Sequence, residues 1–348
     1  MRWLARLIRR VFLLVLLLIL GLLAPVAWVE TMCRPTAEDR PYTPLVGAEW
    51  QRPEGRTLLT YPEWHIVNAY ADYATVIGSF DPHDFGYLTS IGAFWSSTCA
   101  LSKVSGEHGG FQGPIKQTIY TIGVSFTAEL LLKAAYEETV GRLFTLLRGE
   151  GRSPLDDLSA RQAADYAVFL QQVPWYEWDF TRSAAELDAA ATDVLRDRER
   201  RIALGLEYRA KAGYAALIKA AVAAIGEDQL RLRAVVTGLS VEALAALPEV
   251  AVIETLPEGV VIEAPRYRAF TRLAERIAAE GGSFVEIAGN DDILFTIITF
   301  QPVAEGAIHS FPRQGNPGYR HLILLPVTDL ADALRALPDG ALEHIYDY

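Results

Sequence analysis

The chain has 348 residues, of which 51% are hydrophobic and 22% charged, enough apolar material for more than one core and too much for a disordered chain. Its formal net charge is −11, and setting aside the four arginines before the first apolar run (Arg2, Arg6, Arg9, Arg10) leaves the remainder near −15. So acidic a body excludes nucleic acid as a partner and disfavours binding to anionic lipid. There is no basic stripe interleaved with aromatics and no Gly-Lys-Ser/Thr phosphate loop.

The first ten residues, MRWLARLIRR, are basic, and Val11 to Val29 then runs for nineteen residues without a charge. At 1.5 Å per residue that run spans about 28 Å, close to the roughly 30 Å hydrocarbon core of a bilayer. Trp3 and Trp28 sit where interfacial tryptophans are found, and the arginines predict an N-terminus in the cytoplasm. The expectation is a cytoplasmic segment (1–10) and a single-pass signal-anchor helix (11–29) in the lipid bilayer. The body then lies outside the cytoplasmic (inner) membrane of a bacterium, as a periplasmic domain. A cleaved signal peptide has a shorter apolar core and a small-x-small site, whereas Ala24 and Ala27 are wrongly spaced with Pro25 between them. Glu30-Thr31-Met32 before Cys33 is not the small apolar run of a lipoprotein. Both cysteines, Cys33 and Cys99, follow the anchor and would meet an oxidising compartment, which predicts a disulfide bond. Closing so long a loop stabilises by roughly 4 kcal/mol in the chain-entropy treatment.

Residues 30–58 read as an extended arm, since the stretch from Arg34 to Thr57 carries four prolines and little periodicity. A helical domain follows over 59–226. Its predicted helices cover Pro62–Gly78, Tyr87–Val104, Ile115–Arg148, a segment capped by Ser153 with Pro154 at its first position, and an alanine-rich stretch from Ser183 to Gly226. A turn at Phe80–Gly86, a glycine-rich loop at Ser105–Pro114 and the aromatic break PWYEWDF separate them. The helices at 87–102 and 115–135 are apolar enough to raise the question of membrane contact. The charges Lys116, Glu129 and Lys133 argue for buried bundle helices instead.

After residue 226 the period changes. Strands, two helices and turns alternate as β-α-β-β-α-β, the split βαβ or ferredoxin-like order, followed by extra strands, a proline-glycine loop from Ser310 to Arg320 and one more helix. The predicted fold class is therefore a membrane-anchored chain with an α domain and an α+β ferredoxin-like domain over 227–348, its strands mostly antiparallel.

The densest chemistry lies in TYPEWHIVNAYADYA (Thr60–Ala74). Thr60 and Glu63 have the spacing of a capping box. Ile66, Val67, Tyr70, Tyr73, Ala74 and Ile77 form an apolar face, while His65, Asn68 and Asp72 form a polar stripe on another. That stripe could orient a general base or, with His83 or Asp84, contribute to a metal site, although it matches no metal-binding spacing. On the long helix Thr118, Thr121, Ser125, Glu129 and Lys133 form a polar row. Glu129 and Lys133 are an i, i+4 pair whose plain reading is an intrahelical ion pair. If the row faced the stripe, His65, Asp72, Ser125 and Glu129 would line one cleft. GVSFT lacks the second glycine and the strand-to-helix setting of a nucleophile elbow. Trp64, Trp175, Tyr176 and Trp178 are candidates for a ligand or partner surface. No metal or cofactor fingerprint is present.

The leading functional expectation is an anchored envelope protein acting as a non-catalytic binding or assembly factor with a protein partner. The alternatives are an enzyme using His65 as acid/base, and a binder of lipid or another apolar ligand in a cavity bordered by Tyr61, Trp64, Tyr70 and Trp95.

Overall fold

A computed structural model describes residues 2–35, 37–52, 58–225 and 230–347. Helix and antiparallel sheet are segregated along the chain. The anchor region is one helix, α1 (Arg2–Met32), and 6–32 is the one stretch among the described residues long and apolar enough to cross a membrane. Its C-terminal end is fixed to the body. Cys33 and Cys99 form a disulfide bond with Cα atoms 5.1 Å apart, and Val29 and Val26 join the apolar core beside it.

The helices that follow are α2 (Tyr61–Ser79), α3 (Tyr87–Val104), α4 (Gly113–Tyr136), α5 (Arg142–Arg148), α6 (Pro154–Leu170), α7 (Phe180–Ala190) and α8 (Leu195–Ile225). Ser153 caps α6 and forms a capping box with Asp156, and Pro154 opens the helix. Three sequence expectations give way here. Thr60 ends a short 3₁₀ turn (Leu58–Thr60) and makes no side-chain cap to α2, because its own backbone is already helical. The expected single helix from 115 to 148 is interrupted by a π-helical turn at Glu137–Gly141. The expected single helix from 183 to 226 breaks between Ala190 and Leu195, where the Asp197 carboxylate takes hydrogen bonds from the Thr192 backbone and hydroxyl. The expected stop at Gly226 lies outside the described residues.

The last region holds two four-stranded antiparallel sheets. The first contains β1 (Arg231–Thr237), β2 (Ala251–Leu256), β3 (Gly259–Pro265) and β4 (Ser283–Ile287), ordered β2-β3-β1-β4. The second contains β5 (Asp292–Thr299), β6 (Ala307–Pro312), β7 (Tyr319–Pro326) and β8 (Leu342–Tyr346), ordered β6-β7-β5-β8. Helices α9 (Val241–Ala245) and α10 (Arg268–Ala279) belong to the first unit and α11 (Val327–Ala336) to the second. Strand β6 falls partly in the stretch read from sequence as a proline-glycine loop; its Pro312 sits at the strand end, where a missing N–H costs no ladder bond.

Alternation along the strands sorts the two faces. Leu232, Ala234 and Val236 of β1 and Ile293, Phe295 and Ile297 of β5 share one core with α10 and α11. The other face of the first sheet, with Val235 and Val261, is covered by the arm through Leu45, Val46 and Trp50. Buried Glu286 fastens that arm, accepting hydrogen bonds from the Leu45 and Val46 backbone and from the Tyr42 hydroxyl. The other face of the second sheet, with Leu294, Phe311, Leu322 and Tyr346, packs on Tyr61 and Leu101 of α2 and α3.

Candidate functional site

The stripe on α2 points at the second sheet. His65 is 3% exposed and ringed by Phe94, Phe126 and Phe311. Its Nε2 lies 3.1 Å from the Ser90 carbonyl, and its Nδ1 lies 3.3 Å from the Tyr61 hydroxyl. A carbonyl only accepts, so Nε2 carries the proton and Nδ1 takes the Tyr61 hydrogen; both nitrogens of a neutral imidazole are thereby used. Burial, reinforced by Arg320, pushes the His65 pKa down to about 3.

Asp72, two turns along α2, accepts from the Gln314 backbone N–H at 3.1 Å and lies 3.8 Å from Arg320. Burial raises its pKa to about 6, with Arg320 and the Gln314 N–H offsetting part of the effect. Arg320 is in turn gripped by Glu343. The loop after β6 completes the seam. Gln314 accepts from the Gly86 N–H at 2.7 Å and donates to the Ser90 hydroxyl at 3.0 Å. Gly315, at φ +75°, lies so close to α2 that a Cβ would come within 2.9 Å of the Val76 nitrogen. Trp64 stacks on His344 with ring centroids 3.6 Å apart.

Glu129 and Ser125 lie elsewhere. Ser125 is exposed on α4. Glu129 accepts from the Tyr70 hydroxyl at 2.6 Å and pairs with Lys211 of α8 at 2.8 Å, while Lys133 pairs with Glu207 at 3.1 Å. The partners on α8 replace the expected i, i+4 pair, because each side chain finds its counter-charge across the helix interface. Lys211 also pairs with Glu207, at 3.0 Å. Burial would raise the Glu207 carboxyl, but Lys133 and Lys211 outweigh it and hold it at about 2. Tyr70, Tyr166, Lys133, Glu207 and Lys211 border a cavity of about 40 Å³, room for a few waters.

A second network next to it was not anticipated from the sequence. Arg200, 1% exposed, bonds Glu137 at 2.8 Å and Glu199 at 2.6 Å. Arg196, also 1% exposed, bonds Glu199 and Asp156, each at 2.9 Å. Arg148 extends the chain from Asp156 to Asp81. Burial is the largest single influence on Asp156 and raises it, but Arg196, the Ser153 N–H and Arg148 together outweigh it, and its pKa falls to about 2. The π turn brings the Glu137 carboxylate over Gly141, where a Cβ would meet it at 2.2 Å. The available signal was the run RDRERR, which reads as a solvated helix face until the carboxylates of α4 and α6 are known to meet it.

His65, Asp72, Ser125 and Glu129 therefore share no common cleft: the first two are sealed in the seam, the third faces outward and the fourth is paired with α8. Tyr61 and Trp64 belong to the seam, Trp95 packs with Phe94 and donates to Thr127, and Tyr70 borders the small cavity. Trp175, Tyr176 and Trp178 are half-buried in an aromatic plug with Tyr166, Phe169 and Phe180. His83 lies 3.9 Å from Asp84 in the turn before α3. Among the described residues no three His, Cys, Asp or Glu side chains converge as metal ligands. No protein-family model matches the chain, and no curated protein or solved structure matches it either.

Proposed function

We propose that the chain is a single-pass anchored protein of a bacterial envelope whose extracytoplasmic body binds a protein partner, in an assembly or adaptor role and without chemistry of its own. The observation that carries this reading is apolar side chains standing in the open beside fully engaged charges. Leu143, Leu146 and Leu147 of α5 are 53%, 74% and 62% exposed, and Ile202 and Leu206 of α8 are 67% and 68% exposed. The ion pairs Lys133–Glu207 and Arg200–Glu137 run α4 and the π turn antiparallel to α8, and α5 follows directly on that turn, which supports a common surface formed by α5 and α8. Contiguous apolar surface of this kind marks an interaction site.

The fold supports a presenting scaffold. We read 231–287 as a ferredoxin-like βαββαβ unit and 292–346 as a partial repeat of it, with the loop 300–306 in place of the first helix. The motivation is that both sheets have the same strand order, first to last neighbour.

The test is site-specific photocrosslinking of the full chain in its native membranes, with a photoreactive residue at Leu146 or Ile202 and a control at Glu305. Both test sites are expected to give a light-dependent adduct carrying a second protein, and the control none. Folded protein that yields no protein adduct at either site would sink the proposal.

A further inference from the structure

The membrane span and the body overlap in depth. Arg9 and Arg10, both exposed, set the inner end of the apolar run. Twenty residues at 1.5 Å cover roughly 30 Å of hydrocarbon, which brings the outer boundary to about Glu30. Yet Val26 and Val29 already pack in the core of the body, and Glu30 itself is held by Lys116 at 2.8 Å and Tyr120 at 2.7 Å. Part of the body therefore sits below the boundary, by about 6 Å for the four residues from Val26 to Glu30.

The element carrying Lys116 and Tyr120 is α4, and its outward face suits that depth. From Gln117 to Leu132 the exposed residues are Gln117, Thr118, Thr121, Ser125, Leu131 and Leu132, none of them charged. The charges of this helix turn away: Lys116 to Glu30, Glu129 to Lys211, Lys133 to Glu207. The two threonines of this face satisfy their hydroxyls within the helix, Thr118 donating to the Pro114 carbonyl at 3.3 Å and Thr121 to the Gln117 carbonyl at 2.7 Å. A helix hides its hydroxyls this way from a solvent that offers no hydrogen bonds. By contrast α8 exposes Arg198, Arg201 and Arg209.

We propose that the first turns of α4 lie in the outer leaflet beside the anchor, at the level of the headgroups and upper acyl chains, so that the body is partly sunk in the bilayer instead of hanging from it. This rests on the reading of α1 as a membrane span. The described residues contain no free cysteine, so single cysteines can be introduced and labelled with an environment-sensitive fluorophore. The full chain is placed in phosphatidylcholine vesicles whose acyl chains carry a nitroxide quencher. Leu17→Cys marks the span, Thr121→Cys and Ser125→Cys the α4 face, and Glu305→Cys the distal loop. An intact Cys33–Cys99 bridge on a non-reducing gel selects folded variants. Labels at 17, 121 and 125 are expected to be blue-shifted and quenched, and the label at 305 neither. Quenching at 17 without quenching at 121 and 125 overturns the proposal and leaves the span standing. Loss of quenching at 17 as well overturns the span and the proposal with it.

Discussion

Two polar centres lie within the body, and they handle burial in opposite ways. The seam between α2 and the second sheet holds two of its groups neutral beside the Arg320–Glu343 ion pair: His65 stays unprotonated down to about pH 3, and Asp72 keeps its proton up to about pH 6. The network of α4, α6 and α8 sets its carboxylates against cations at direct contact, with Asp156 and Glu207 held at about 2. The difference follows from supply. Arg320, the cation with the largest influence on Asp72, is already committed to Glu343, so Asp72 receives only a distant share of it. On α8 two arginines and a lysine serve five carboxylates at direct contact. Charges buried with complete partners stay ionised; those buried with partial ones change protonation state.

The comparison breaks most forcefully at Arg200. Arg200→Ala strands Glu137 in the interior and leaves Glu199 with Arg196 as its one remaining arginine, and the full chain is expected to lose about 3–5 kcal/mol in urea unfolding, the usual cost of removing one side of a buried pair. A loss below 1 kcal/mol would mean that the network is wetter than its burial implies.

A subtler measurement sharpens the seam. Between about pH 4 and 6 the folded protein holds a proton on Asp72 that the unfolded chain has released, so this group makes stability fall as pH rises. His65 does the reverse, since over about pH 3 to 6.5 the unfolded chain binds a proton that the folded protein refuses. The two slopes cancel where they overlap. In Asp72→Asn the His65 slope is unmasked, and the variant's stability is expected to rise with pH relative to the parent by about 1.4 kcal/mol per unit between pH 4 and 6. Parallel curves for the two proteins would remove Asp72 from the account. Asp156 and Glu207 contribute only below this window: their stabilisation is complete above the ordinary carboxyl range and is lost as pH falls towards 2.

The smallest effect belongs to a charge pair outside both centres. Glu138 and Arg142 are about half exposed, and Glu138→Gln is expected to cost under about 0.5 kcal/mol in the same unfolding assay.

What could be read from the sequence was whatever is written locally. The apolar run of α1, the cap at Ser153 and the limits of α3 at Tyr87 and Val104 all depend on neighbours within a few positions. The direction of the α2 stripe was not legible, because the residues that meet Asp72 are Gln314 and Arg320, more than 240 positions away. The same holds for RDRERR, whose burial is decided by Glu137 and Asp156 on other helices. The Glu129–Lys133 pair misled for a related reason: helical spacing permits that contact, and packing on α8 replaced it. Strand β6 was hidden by Pro312 and by the glycines that follow, which are punctuation in most contexts and here close one strand and open the loop that carries Gln314.

The strap of the arm across the first sheet has a consequence for biosynthesis. Leu45 and Val46 leave the ribosome early, but their acceptor, Glu286, is made about 240 residues later. At roughly 5–20 residues per second that interval is on the order of 10–50 s. The bridge to Cys99, only 66 residues from Cys33, can close well before then. The nascent chain thus has its Cys33–Cys99 bridge finished while its arm is still loose, and Leu45, Val46 and Trp50 wait uncovered for the first sheet to arrive.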